Sequence, residues 1–192
     1  MSGITAERVL DTAQRLIQTR GFNGFSYRDI AGEIGIKSAS VHYYFPSKAD
    51  LGVALVSRYR KNFAAELDGI LDRHAEASKR LKAFVELFRQ TLKSERLCLC
   101  GMLGAERDGL PEPVNDQVRA FFQLCEGWLC EVLKNGRKAG ELAFRGNPRN
   151  VADQFLSLLE GAMVLARSLN DPERFDKAAS TYLGVLKPST QE

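Results

Sequence analysis

The stretch Ser26–Lys48, SYRDIAGEIGIKSASVHYYFPSK, decides how the rest of the chain is read. Ser26 followed three residues later by Asp29 is a capping-box start, in which side chains take up the first amide protons of a helix. Ile30 and Ile34 then fall on one face, and Ala31 is small enough to let a second helix cross close by. Gly35 can adopt the left-handed backbone that a sharp helix end requires. Ile36 and Val41 supply facing apolar contacts, and Ser38 is expected to cap a second helix. Pro46 stops that helix, because proline lacks an amide donor and restricts Phe45 before it. Two short helices joined by a tight turn are the helix-turn-helix pattern.

The second of these helices is polar on one side. Lys37, Ser38, Ser40, His42, Tyr43 and Lys48 offer ammonium, hydroxyl, imidazole and phenol groups, while Val41, Tyr44 and Phe45 hold the helix to a core. Groups of this kind donate to phosphate oxygens and base edges, and the helix start is also the positive end of its dipole. A plain solvated face would carry similar residues, so the composition of this helix does not separate the two readings.

The flanking segments keep a helical period. Val9, Ala13, Leu16 and Ile17 lie along one face of a helix expected from about Thr5 to Arg20, ended by Gly21. Ser47 and Asp50 repeat the capping box and open a long helix over 48–73, striped by Leu51, Leu55, Tyr59, Phe63 and Leu67. Further helices are expected over about 77–94, 101–107, 113–139, 148–170 and 172–186, with Pro113, Pro148 and Pro172 near helix starts. Alternating strand patterns are missing, so the fold class is all-α. The expected division is a helix-turn-helix DNA-binding domain over 1–48, built of three helices, and a helical effector-binding and dimerisation domain over 49–192.

Composition is that of a globular protein, 44% hydrophobic and 27% charged, with a net charge of +3 that is too small to argue for nucleic acid unaided. No apolar run approaches the roughly eighteen residues of a membrane span, and the first residues lack the apolar core of a signal peptide, so the expected location is the cytoplasm, with no membrane partner. No phosphate-binding loop, dinucleotide turn, zinc-protease motif or di-iron helix pair is present, which argues against an enzyme and against a cofactor. Glu160, alone in an apolar helix, does not amount to a catalytic acid.

The run RGFNGFSYRDIAGEIGIKSASVHYYFPSKADL resembles the TetR family of bacterial transcriptional regulators, in the glycine after helix one, the Ala31 and Gly35 pair, the aromatic residues before Phe45, and Pro46, Ser47, Lys48 and Leu51. The motif-level resemblance covers about the first quarter of the chain; beyond it only helix count and order agree. It implies a homodimeric repressor whose two heads meet half-sites of a near-palindromic operator about 34–36 Å apart. Carried over by position, Ser26 and Arg28 contact phosphate or a base edge, and Lys37, Ser38, Ala39 and Ser40 face bases. His42 and Tyr43 stand at aromatic contact positions, and Lys48 holds a phosphate. His42 departs from the family's usual tyrosine, and a buried histidine bonded to a carbonyl is its structural alternative.

The resemblance further implies a dimer built from the last two long helices. Val151, Phe155, Leu158, Leu159, Ala162, Ala166 and Leu169, with Gly161, form an apolar face in the first, and Phe175, Tyr182, Leu183 and Leu186 in the second. The expected interface is Phe155, Leu158, Leu159, Ala162, Ala166, Phe175, Tyr182 and Leu183, although an internal core would produce the same stripes. Phe63, Phe84, Phe88, Met102, Phe121, Phe122 and Trp128 are expected to wall an effector pocket for an unidentified small molecule, with Glu106 or Arg107 as its polar contact. Cys98 and Cys100 form a possible thiol sensor. Cys98 follows Lys93 and Arg96 near a helix start, and both influences favour thiolate. With Cys125 and Cys130 they can equally be small buried hydrophobes; a metal site is short of ligands, since His42 and His74 lie far off in sequence.

Overall fold

The computed structural model describes residues 2–188, and the described residues are helical throughout, with no strand. The elements are α1 (Ser2–Arg20), α2 (Tyr27–Ile34), α3 (Ser38–Tyr44), α4 (Lys48–Arg73), α5 (Ala77–Lys93), α6 (Leu99–Ala105), α7 (Glu112–Lys138), α8 (Pro148–Ser168) and α9 (Glu173–Val185), with one 3-10 turn at Arg107–Gly109. The all-α reading holds, and most helix ends fall within a residue or two of expectation.

The reasons are local. Asp29 Oδ2 accepts from Ser26 N–H and Oγ–H, each at 2.7 Å, and α2 starts at Tyr27. Asp50 Oδ2 accepts from Ser47 N–H at 3.0 Å and Oγ–H at 2.6 Å, while Asp50 N–H returns to Ser47 Oγ at 3.2 Å, and α4 starts at Lys48. Gly35 ends α2 with φ 71° and ψ 39°, the left-handed backbone that turns the chain into α3. Two expectations shift. The cap of α3 is Lys37, not Ser38: Ser40 N–H bonds to the Lys37 carbonyl at 2.9 Å and closes the first turn one residue early. The short helix α6 likewise begins at Leu99, with Cys98 as its cap residue.

The chain forms two compact units, Met1–Asn62 with Arg96–Phe121, and Phe63–Glu95 with Phe122–Glu192. In the first, Val9, Ala13, Leu16 and Ile17 of α1 are fully buried, together with Ile30 of α2, Val41 of α3, Leu51 and Leu55 of α4, Leu99, Cys100 and Leu103 of α6, and Phe121. Apolar burial at about 25 cal/mol per Å² is what holds so short a pair as α2 and α3 in place, since helices of this length are not stable alone. In the second unit α5, α8 and α9 pack together. Phe84, Phe155, Leu159 and Phe175 are fully buried there, the Phe155 and Tyr182 rings stack at 5.0 Å, and Arg89 of α5 holds Asp176 of α9 at 2.6 Å.

Candidate nucleic-acid interface

The outward surface of α2 and α3 is built on a buried support. Tyr27, the first residue of α2, is buried, and its Oη lies 2.9 Å from the Phe45 carbonyl and 2.6 Å from that of Ser47, tying α2 to the turn between α3 and α4. Burial, and secondarily the Asp50 carboxylate, push this phenol up to about 12, so it remains a neutral donor. The Tyr27 ring packs at 4.6 Å against His42. His42 is exposed, so the alternative of a histidine buried on a carbonyl is set aside; its imidazole leans on Tyr27 and faces outward.

Ser26, Arg28, Ser38, His42 and Lys48 come together around one open cavity of about 500 Å³, which Phe25 and Tyr27 complete. Lys37, Ala39, Ser40 and Tyr43 lie outside this lining. Lys37 and Ala39 are exposed, Ser40 is half-buried, and Tyr43, 79% exposed, has no core role to explain its ring. Lys48 is half-buried: its Nζ donates to the Phe25 carbonyl at 2.5 Å and lies 4.2 Å and 5.0 Å from the Phe25 and Phe22 ring centres. Burial pulls its pKa below the ordinary lysine value, and the Glu106 and Asp29 carboxylates partly restore it. An ammonium has three donors, and one is committed to Phe25. Asp29, below the usual carboxylate range because it accepts from Ser26, stays ionised as the α2 cap. Chemically this is a shallow basic and hydroxyl-bearing surface that offers donors to an anionic backbone.

The residues expected to wall a pocket fall in both compact units. Phe63, Phe84, Phe88 and Trp128 gather in the second unit, with Phe84 stacked on Trp128 at 5.4 Å and Phe63 edge-on to Phe84 and Phe88 at 6.1 Å and 6.2 Å. Phe122 is half-buried in that same unit, whereas Met102 and Phe121 belong to the first. Glu106 is not a polar contact for these rings. It accepts from Phe22 N–H at 2.7 Å and from the backbone and side chain of Asn23 at 3.2 Å and 3.0 Å, a pairing across more than eighty residues that no local pattern announces. Arg107 is exposed.

Of the expected interface residues, Phe155, Leu159, Ala162, Ala166 and Phe175 are buried within the single chain, and so serve its own core. Leu158, Tyr182 and Leu183 are half-buried; Tyr182 donates to the Val151 carbonyl at 3.2 Å. The apolar residues left open on these helices are Val164, Leu165 and Leu169 at the end of α8 and Val185 of α9, about half exposed or more. Cys98, the cap residue of α6, and Cys100, in its first turn, are both buried. Cys125 is buried in α7, where desolvation, then Glu160 and Glu126, raise its thiol well above the ordinary value and keep it protonated. Cys130 is half-buried. Among the described residues no three His, Cys, Asp or Glu side chains are grouped so as to hold a metal ion, and no described helix is long and apolar enough to cross a membrane.

The family described as "Bacterial regulatory proteins, tetR family" matches residues 9–55, and that described as "Tetracyclin repressor-like, C-terminal domain" matches residues 77–182. A TetR-family transcriptional regulator from Agrobacterium tumefaciens is 33% identical, with 98% of this chain and all of that one covered and a TM-score of 0.95. A TetR transcriptional regulator from Legionella pneumophila is 36% identical over 95% and 97% of the two chains, with a TM-score of 0.87. The Escherichia coli repressor NemR is 27% identical over 95% of this chain and 94% of its own length. Its structure in the reduced form superposes with a TM-score of 0.84.

Proposed function

The chain belongs to the TetR family of bacterial transcriptional regulators, DNA-binding proteins rather than enzymes, and from that membership we propose a ligand-responsive repressor. Residues 1–48 form its operator-binding domain and residues 49–192 its effector-binding and dimerisation domain. It binds a palindromic operator as a homodimer and is released by a small-molecule effector. The observation that carries this is the α2–α3 surface, where Ser26, Arg28, Ser38, His42 and Lys48 converge around one open cavity beside the exposed Lys37 and Tyr43. Phosphate contacts position such a head and base contacts specify the site. Effector binding among Phe63, Phe84, Phe88 and Trp128 is supported by the Trp128 Nε1–H, which is buried without a protein acceptor, so a ligand with an apolar body and one acceptor atom suits the cluster.

A second reading is release by an oxidant or electrophile acting at Cys98 or Cys100. Two thiols at the start of α6, Cys98 at its cap and Cys100 in its first turn, favour it, as does a relative, NemR, whose structure is of a reduced form.

The test is operator binding by the purified protein, using a duplex enriched from a random-sequence library. Lys37→Ala with Tyr43→Ala is expected to weaken binding by about tenfold or more while helicity is unchanged. Undiminished specific binding by that variant would remove α3 from the recognition role. An electrophile that releases wild type but not Cys98→Ser selects the thiol reading, and binding indifferent to the reagent selects the small-molecule effector.

A further inference from the structure

Helix α6 is fastened to the segments around it at both ends, by different chemistry at each. At its start, buried Gln18 of α1 donates from Nε2 to the Leu97 carbonyl at 3.0 Å, and Leu97 N–H returns to the Gln18 carbonyl at 3.4 Å. At its end stands Glu106, which reaches the turn leading from α1 into α2. Its Oε1 accepts from Phe22 N–H at 2.7 Å, and its Oε2 accepts from Asn23 N–H at 3.2 Å and Asn23 Nδ2–H at 3.0 Å. Gly21 makes room for the carboxylate: its φ is +82°, and a Cβ there would lie 2.1 Å from Glu106 Oε1. The same turn carries Phe22 and Phe25, whose rings lie under the Lys48 ammonium. One charged group thus gathers three N–H donors of the loop that precedes the helix-turn-helix, and charge-assisted bonds of this kind are about twice as strong as neutral ones.

Resting on the DNA-binding assignment above, we infer that Glu106 is a positioning residue for operator binding. It fixes the Phe22–Asn23 turn and with it where α2 and α3 stand on α1, so that losing its contacts costs operator register. The contacts of Glu106 suit this role better than general support. All three go to the entry loop of the helix-turn-helix, two of them to backbone amides, where a small shift in the carboxylate moves the main chain itself.

The test uses the full-length protein with Glu106→Ala, Glu106→Gln, Asn23→Ala and the Glu106→Ala/Asn23→Ala double variant. Three quantities are measured: amide hydrogen exchange at Phe22 and Asn23, affinity for a duplex selected by wild type, and affinity for a scrambled duplex of the same length. Glu106→Ala should speed exchange at both amides and weaken the selected duplex by about tenfold or more, the worth of one hydrogen bond to a charged group, while the scrambled duplex binds as in wild type. Glu106→Gln should fall between, because its amide keeps one acceptor and turns an NH2 toward donors. Asn23→Ala should add little once Glu106 is gone, the mark of a shared interaction. Faster exchange with undiminished affinity for the selected duplex would overturn the inference. So would an equal loss on both duplexes that tracks a fall in Tm, or unchanged exchange in Glu106→Ala. A wild type that enriches no duplex at all would overturn the DNA-binding assignment itself, an outcome separate from these.

Discussion

Tyr27 shows how much one side chain settles at the scale of a residue. Its single hydroxyl proton is shared between the carbonyls of Phe45 and Ser47, both in the turn that passes from α3 to α4, and its ring supports His42. Tyr27→Phe keeps the ring and removes the donor, which leaves those carbonyls short and should cost about 1–2 kcal/mol of stability. The pH dependence has a definite sign. The folded phenol titrates at about 12, above the ordinary tyrosine near 10, so its contribution is complete below pH 10 and is lost as pH rises toward 12. Urea unfolding of wild type and Tyr27→Phe at a series of pH values should therefore give a difference that is constant through neutral pH and shrinks between about pH 10 and 12. A difference that stays flat across that range would mean the phenol does not hold the turn. Nothing in the sequence around Tyr27 signals this role, because its partners lie eighteen and twenty residues away and are backbone carbonyls, which every residue possesses.

At the scale of an element, the two glycines of α2 and its end should respond to alanine in opposite directions. Gly35 has a left-handed backbone, and open space surrounds the position a Cβ would take, so Gly35→Ala adds backbone strain without a collision. That strain is about 1–2 kcal/mol, or a Tm lower by about 2–8 °C in a chain of this size. Gly32 lies inside α2 in open space with ordinary helical backbone, and Gly32→Ala should instead stabilise by about 0.5–1 kcal/mol. Thermal unfolding followed by circular dichroism checks both, and a loss at Gly32 as large as at Gly35 would refute the backbone argument. The helices themselves were legible because their ends are written in neighbouring residues: Ser26 with Asp29, Ser47 with Asp50, Gly35, and Pro46. Where the pattern misplaced an end, as at Ser38 and at the start of α6, the deciding bond was a backbone one, which side-chain identity does not report. The same limit hid Glu106, whose partners are the amides of a distant turn.

At the scale of the whole molecule, the apolar stripes of α8 and α9 were visible in the sequence, but not which side of each would turn inward. Period alone marks a face, and a single broad face can serve a core, an interface or both. The structure commits Phe155, Leu159, Ala162, Ala166 and Phe175 to the core of the chain and leaves Val164, Leu165, Leu169 and Val185 about half exposed or more. Val164 and Leu165 in the last turns of α8 and Leu169 at its cap fall within six consecutive residues, and Gly161 one turn earlier presents open space where a second backbone can approach closely. An apolar stripe of this kind, on helices whose opposite sides are already packed, fits a second copy of the chain related by a two-fold axis, which places each stripe against its own image. Val164→Glu with Leu165→Glu puts four like charges into that contact, two from each copy, and should shift the protein to monomers in sedimentation at micromolar concentration, with helicity retained because neither side chain belongs to the core. Operator affinity should fall with it, since each head would then bind its half-site unaided by the linkage that makes the second contact intramolecular. A double-glutamate variant that still sediments as a dimer would place the partner elsewhere. One that becomes monomeric yet binds the full operator as tightly as wild type would show that the two half-sites do not depend on a joined pair of heads.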